Sequence, residues 1–200
     1  MDAVLFDLGK VLLDWSPRYY YERFFAGDEA ALADFLAEVV APAWIVEMDR
    51  GLPMAEAIAA RQRRYPQHAE LIGRWREGWP EMLRGEIAGT VRILEELASH
   101  GRRLYALTNF SSETWPVARA RFDFLERFEH VVVSGEVGLV KPDPRIYRLA
   151  IERCQLEPAR TVFVDDVPAN VEGARAEGLH AVHFTTPERL REDLEKLGAL

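Results

Sequence analysis

Five short apolar runs, each closed by polar residues, recur along the 200-residue chain, at 3–6, 103–107, 130–133, 161–164 and 180–184. Their length and their β-branched and aromatic content predict buried strands. Helical patterns at 89–100, 112–122, 144–154 and 168–177 separate the later runs, with Gly101 and Gly178 placed to end two of these helices. Strands alternating with helices of this length imply βαβ crossovers, and hence an α/β fold whose parallel sheet is covered on both faces. Residues 15–85 interrupt the alternation: they show no strand pattern, and amphipathic stretches at 17–26, 29–40, 54–65 and 68–79 predict helices instead. The segment is too long for a plain crossover. It is read as a helical cap domain, seated as a small bundle over a core domain made of residues 1–14 and 86–200.

Composition narrows the partners. A formal charge of -8, from 33 acidic against 25 basic residues, argues against broad attraction to nucleic acid or an anionic membrane, so an anionic ligand must be held by local features. Cys154 is the only cysteine, which excludes an internal disulfide framework and a multi-thiolate zinc site. The apolar N-terminal stretch lacks a basic lead-in and carries Asp7 inside it, and no run of about 18 apolar residues occurs, so a cytoplasmic protein is expected. Nothing in the pattern indicates an oligomeric state.

The polar residues that close the strands are the candidates for chemistry. Asp7 ends the first run, where open α/β sheets place their ligands; a turn or capping aspartate is the plain alternative. Asp165 and Asp166 close the fourth run as an adjacent pair, which packing explains poorly because burying unpaired carboxylates is costly. A hard cation with oxygen ligands would resolve that conflict. Thr108 and Asn109 end the second strand, while Ser112 and Glu113 follow as ordinary helix caps. Lys141 precedes Pro142 and Pro144 after the third strand and, taken alone, reads as a surface charge.

Taken together, FDLGKVLLDW, LTNFS, GLVKPDPRIY and VFVDDVPANVEGA resemble the four motifs of the haloacid-dehalogenase-like superfamily, in order, from residue 6 to 174. Residues 15–85 fall where that superfamily inserts a helical cap, and the opening motif is similar to that of its sugar-phosphate phosphatases, the glucose-1-phosphate phosphatases among them. The resemblance implies a Rossmann-like, doubly wound sheet of order 3-2-1-4-5 and a magnesium-dependent phosphatase acting on a small phosphorylated metabolite, a sugar phosphate first. It also implies roles. Asp7 would be the nucleophile; its carboxylate, the Gly9 carbonyl and the Asp166 carboxylate would bind magnesium, with Asp165 supporting from behind. Thr108 and the Asn109 backbone would hold the phosphoryl oxygens, Lys141 would neutralise nucleophile and phosphate, and Asn170 would orient Asp165 or Lys141.

One position departs from that pattern. Phosphatases of the superfamily commonly carry a general-acid aspartate two residues after the nucleophile, and here Gly9 stands there. General acid-base help is worth about 100-fold to 10,000-fold. Its loss means a slow enzyme, a leaving group as easy as an anomeric hydroxyl, or a substitute acid, for which Asp14 is the nearest in sequence although a surface or hinge role suits it better. In the cap, Trp15, Tyr19, Tyr20, Trp44, Trp75 and Trp79 read as core first and as a sugar-stacking surface second. Glu47, Asp49, Arg50 and Gly51 either reach the site or cap a helix, and Arg18 is a similar candidate. The five histidines show no ligand spacing, and the basic run 61–64 reads as a solvated face. Two other functions stay in view: a metal-independent 2-haloacid dehalogenase, which the acid pair disfavours, and a non-catalytic phospholigand-binding protein.

Overall fold

The computed structural model describes residues 1–200. In chain order its strands are β1 (Ala3–Phe6), β2 (Leu13–Trp15), β3 (Leu83–Glu86), β4 (Arg103–Thr108), β5 (His130–Val133), β6 (Thr161–Asp165) and β7 (His180–His183). Five of them form one sheet in the order β5-β4-β1-β6-β7, parallel throughout. Numbered among themselves, these strands run 3-2-1-4-5, the doubly wound α/β order implied by the motifs. β1 is buried along its length, and its side chains alternate between two interiors. Val4 and Phe6 join one core, Ala3 and Leu5 the other, so both faces of the sheet are covered.

All the structure between β2 and β3 is helical. The core on the Val4 face continues into this segment through Leu13, Tyr21, Trp44 and Trp75, and the Trp44 and Trp75 rings meet edge to face at 5.0 Å. Helices Arg18–Tyr21, Glu29–Asp34 and Met54–Arg64 lie within expected stretches. The expected 29–40 helix changes to a π turn at Phe35–Val39, and the expected 68–79 helix divides at Arg74 into Ala69–Gly73 and Trp75–Met82. Pro42–Asp49 is an additional helix that the pattern did not show. No helix is long and apolar enough to cross a membrane.

Three expectations are corrected here. Residues 15–85 do hold strand: β2 and β3 pair antiparallel, Leu13 with Glu86 and Asp14 with Gly85, and tie together the two crossings into and out of the helical segment. Arg61 is not merely solvated. Its guanidinium donates to the carbonyls of Val39, at 2.7 Å, and Glu38, and lies over the Trp44 and Tyr65 rings, satisfying carbonyls that the π turn leaves free. Arg18 pairs with Glu29 and Glu22 on the exposed surface.

Candidate active site

The sheet order reverses beside β1, which lies between β4 and β6, so the crevice beyond their carboxyl ends is the natural ligand position of this architecture. Register fixes what stands there. Phe6 is level with Ala106 and with Val164, which brings Asp7 and Asp165 out of adjacent strands at one height. The chain after Asp7 turns tightly: the Leu12 and Leu13 amides both donate to the Leu8 carbonyl, at 2.9 and 2.8 Å, and Lys10 adopts a left-handed φ of 58°. A non-glycine residue in that region marks a constrained loop.

Lys141 is the hub. Its Nζ donates to Asp165 Oδ2 at 2.6 Å and to the Leu107 carbonyl at 2.9 Å, and it forms an ion pair with Asp7 Oδ1 at 2.8 Å. It is 4% exposed, which overturns the surface-charge reading of this residue. Its backbone is clamped as well: the Lys141 amide donates to Asn109 Oδ1 at 2.8 Å, and Asn109 Nδ2 donates to the Lys141 carbonyl at 3.1 Å. Asp165, fully buried, also accepts from the Val167 amide at 2.8 Å and from Asn170 Nδ2 at 3.0 and 3.1 Å. Asn170 comes from the first turn of helix Pro168–Ala176, which opens with proline at a position where a missing amide costs nothing. Thr108 is buried at the end of β4.

The charges do not balance. Asp7, Asp165 and Asp166 each offer a carboxylate oxygen, all within 4.8 Å of one another, against one ammonium. Burial pushes Asp7 up to about 7, with Asp165 adding to the rise and Lys141 opposing it. Asp166 is raised too, by burial and by Asp165. Burial alone would pull Lys141 down, but Asp7 and Asp165 outweigh it and hold the ammonium protonated. Three hard oxygen donors with surplus negative charge fit a magnesium ion. Because Lys141, Asn170 and Val167 already occupy Asp165, the less engaged oxygens belong to Asp7 and Asp166.

Beside this cluster lies a cavity of about 80 Å³ walled mostly by Trp15, Trp75, Trp79, Met48, Met54 and Phe110, with Gly9, Asn109 and Asp49 on it as well. Asp49 is the last residue of helix Pro42–Asp49, and burial and the charge of Asp7 push it up to about 7 against the Ser111 amide and Lys141. Asp14 takes another role: its Oδ1 accepts from the Tyr19 hydroxyl at 2.6 Å in the β2–β3 ribbon, outside the cavity wall. Glu113 does not cap the helix that follows it in the chain. Helix Trp115–Arg121 begins later, and the Glu113 carboxylate reaches across to the Met54 amide at 2.6 Å and to Arg76, joining the sheet side to the helical segment. Ser134 makes a second such junction, donating to the Asp49 carbonyl at 2.5 Å. Neither junction had a signal in the sequence, because each joins residues far apart along the chain. His180 and His183 hydrogen-bond to the carbonyls of Ala159 and Asp166 respectively and share no ligand.

A family model described as haloacid dehalogenase-like hydrolase matches residues 1–178. The phosphorylated carbohydrates phosphatase of Thermotoga maritima is 28% identical over 185 residues, covering 92% of this chain and 84% of that protein. Acyl-CoA dehydrogenase family member 10 of Mus musculus is 33% identical over 111 residues, 53% of this chain, and is much longer: the match spans 10% of its length. Among solved structures, a HAD family enzyme of Bacteroides thetaiotaomicron in complex with magnesium and inorganic phosphate has a TM-score of 0.68 at 20% identity, covering 93% of this chain and 95% of that one. A dehalogenase with intermediate complex has a TM-score of 0.70 at 21% identity, covering 92% and 85%. At such identities these two structures speak for the fold alone.

Proposed function

The chain belongs to the haloacid dehalogenase-like hydrolases, and from that premise we propose that it is a magnesium-dependent phosphomonoester hydrolase in which Asp7 is transiently phosphorylated. The observation that carries this reading is the group of three carboxylates, Asp7, Asp165 and Asp166, within 4.8 Å around one buried lysine. A dehalogenase attacking a carboxylate substrate gains nothing from two further anions at the strand tip, whereas a phosphatase uses them to hold a cation. Magnesium would be held by Asp7, the Gly9 carbonyl and Asp166, and when bound it offsets the charge between nucleophile and phosphate.

The side chains have separable tasks. Two unit negative charges about 4 Å apart repel by roughly 4 kcal/mol at an effective dielectric near 20, so an anionic Asp7 needs local positive charge before it can approach a phosphate. Lys141 supplies a fixed one, 2.8 Å from Asp7 Oδ1. Thr108 and the Asn109 amide donate to the phosphoryl oxygens, where charge spreads during transfer. Asp165 and Asn170 position Lys141. Water then hydrolyses the aspartyl phosphate. Residues 15–85 act as the cap over this site. Its aromatic wall suits a small leaving group with an apolar face, such as a sugar ring, and the Thermotoga relative supports phosphorylated carbohydrates as the first class to test.

The test is phosphate release from a panel of phosphorylated metabolites with and without magnesium. Release that requires the cation, with sugar phosphates among the better substrates, is expected. Chloride release from a 2-chloro acid without magnesium, and no phosphate release, would replace this reading with the dehalogenase one.

A further inference from the structure

We propose that Asp49 supplies the acid-base function missing at Gly9, protonating the leaving oxygen from the helical side of the cavity. This rests on the phosphatase reading and adds the residue that lets it act on poor leaving groups.

The need comes from the chemistry. An alkoxide leaves poorly unless it is protonated as the P–O bond breaks, and no side chain at residue 9 can do so. The space where such a side chain would project is open: a β-carbon built on Gly9 meets nothing within 4 Å. Among the residues walling the cavity that Gly9 shares with Asn109, Asp49 is the only one with an ionisable side chain. Other nearby acids are committed elsewhere, Asp14 to Tyr19 and Glu113 to Met54 and Arg76.

The position of Asp49 is fixed from the sheet side. Ser134 Oγ, at the end of β5, donates to its carbonyl at 2.5 Å and itself accepts from the Phe110 amide at 2.9 Å. Asp49 also closes helix Pro42–Asp49, where the macrodipole opposes an anion, so helix stability does not account for an acid there. Its raised affinity for a proton is consistent with use in both directions near neutral pH.

The steps balance. As Asp7 bonds to phosphorus and the P–O bond to the leaving group breaks, the Asp49 carboxyl gives its proton to the departing oxygen, releasing an alcohol and leaving Asp49 ionised. Water then attacks the aspartyl phosphate, its proton passes to Asp49, and the P–O bond to Asp7 breaks to release phosphate and restore both side chains.

Asp49→Asn keeps the shape and an acceptor for the Ser111 amide but cannot exchange the proton. With magnesium present, propyl phosphate and p-nitrophenyl phosphate distinguish the outcomes, because nitrophenolate leaves without protonation. The variant is expected to hydrolyse propyl phosphate about 100-fold to 10,000-fold more slowly than the wild type. With p-nitrophenyl phosphate it should release a rapid burst of one nitrophenolate per active site and then turn over slowly, as the aspartyl phosphate waits for a base. Unchanged propyl phosphate turnover, or an equal fall in both reactions with no burst, would overturn the assignment. Wild-type protein inactive on both esters and on the metabolite panel would instead sink the phosphatase reading itself.

Discussion

The two walls of the cavity are built on different terms. On the sheet side, Lys141, Asp165, Asn109 and Asn170 are buried or half-buried groups whose hydrogen bonds go almost entirely to one another and to backbone, so each is held from several directions. On the helical side the wall is indole, thioether and aliphatic, with one carboxylate, and it meets the sheet through a few cross-links at Glu113, Ser134 and Arg121. Chemistry that needs fixed charges sits where the backbone is most constrained. Under the proposed function, choice of leaving group falls to the wall that has side chains to vary and few bonds to break.

The strongest way to break the comparison is at the sheet side. Asp7→Asn is expected to bring phosphate release by purified protein below detection, because an amide cannot act as the nucleophile. Turnover at the wild-type level would refute the assignment. Lys141→Ala removes the only cation between Asp7 and Asp165, at 2.8 and 2.6 Å, and leaves two buried carboxylates facing each other. A loss of about 3–5 kcal/mol in denaturant unfolding is expected, together with activity. A fall of less than about 1 kcal/mol, the range of surface pairs, would mean that the site is wetter than its geometry implies.

This contrast also explains what could be read from the sequence. The three central sheet strands are short, mostly buried runs, and the residues that close them are the site candidates, so Asp7, Thr108, Asn109, Asp165 and Asp166 stand out once the strands are seen. Their spatial order came from the motif resemblance, since periodicity says nothing about which strands are neighbours. The helical side carries weaker signals. Helix Pro42–Asp49 carries Trp44, Ile45, Val46 and Met48 around most of its circumference, which blurs the polar stripe that would mark it. β3, with the sequence LRGE, has no strand alternation, and its pairing with β2 follows from two chain crossings being brought together. Asp49 lies 40 residues beyond Gly9, and only the packed helix brings the two to one cavity.

The helical wall has its own weak point. A β-carbon at Gly78 would lie 2.3 Å from the Tyr20 ring, which is 2% exposed and cannot swing aside into solvent. Gly78→Ala should therefore destabilise the protein by about 1–3 kcal/mol through overpacking. Thermal or denaturant unfolding would check this. No change would mean that the helical segment packs more loosely around Tyr20 than the sheet packs around Lys141.

The smallest expected effect is the most informative about the division of labour. Gly9→Asp places a carboxylate on the sheet-side wall, at a backbone position outside the left-handed region and with open space around the new β-carbon, so folding and magnesium binding should survive. In the otherwise wild-type protein, alkyl phosphate hydrolysis should be preserved or rise, by less than about tenfold, because one acid-base group already serves the leaving oxygen and a second brings repulsion along with a proton. In the Asp49→Asn background the same substitution should give a larger relative gain, because there the added carboxyl replaces a function that is absent. The two ratios, measured as kcat/KM on propyl phosphate, form a double-mutant cycle. If Gly9→Asp gave the same factor in both backgrounds, the two walls would be acting independently, and Asp49 would be a wall residue with no share in proton transfer. A variant that folds and binds magnesium but turns over every ester more slowly would mean that the opening beside Gly9 is needed for the substrate itself.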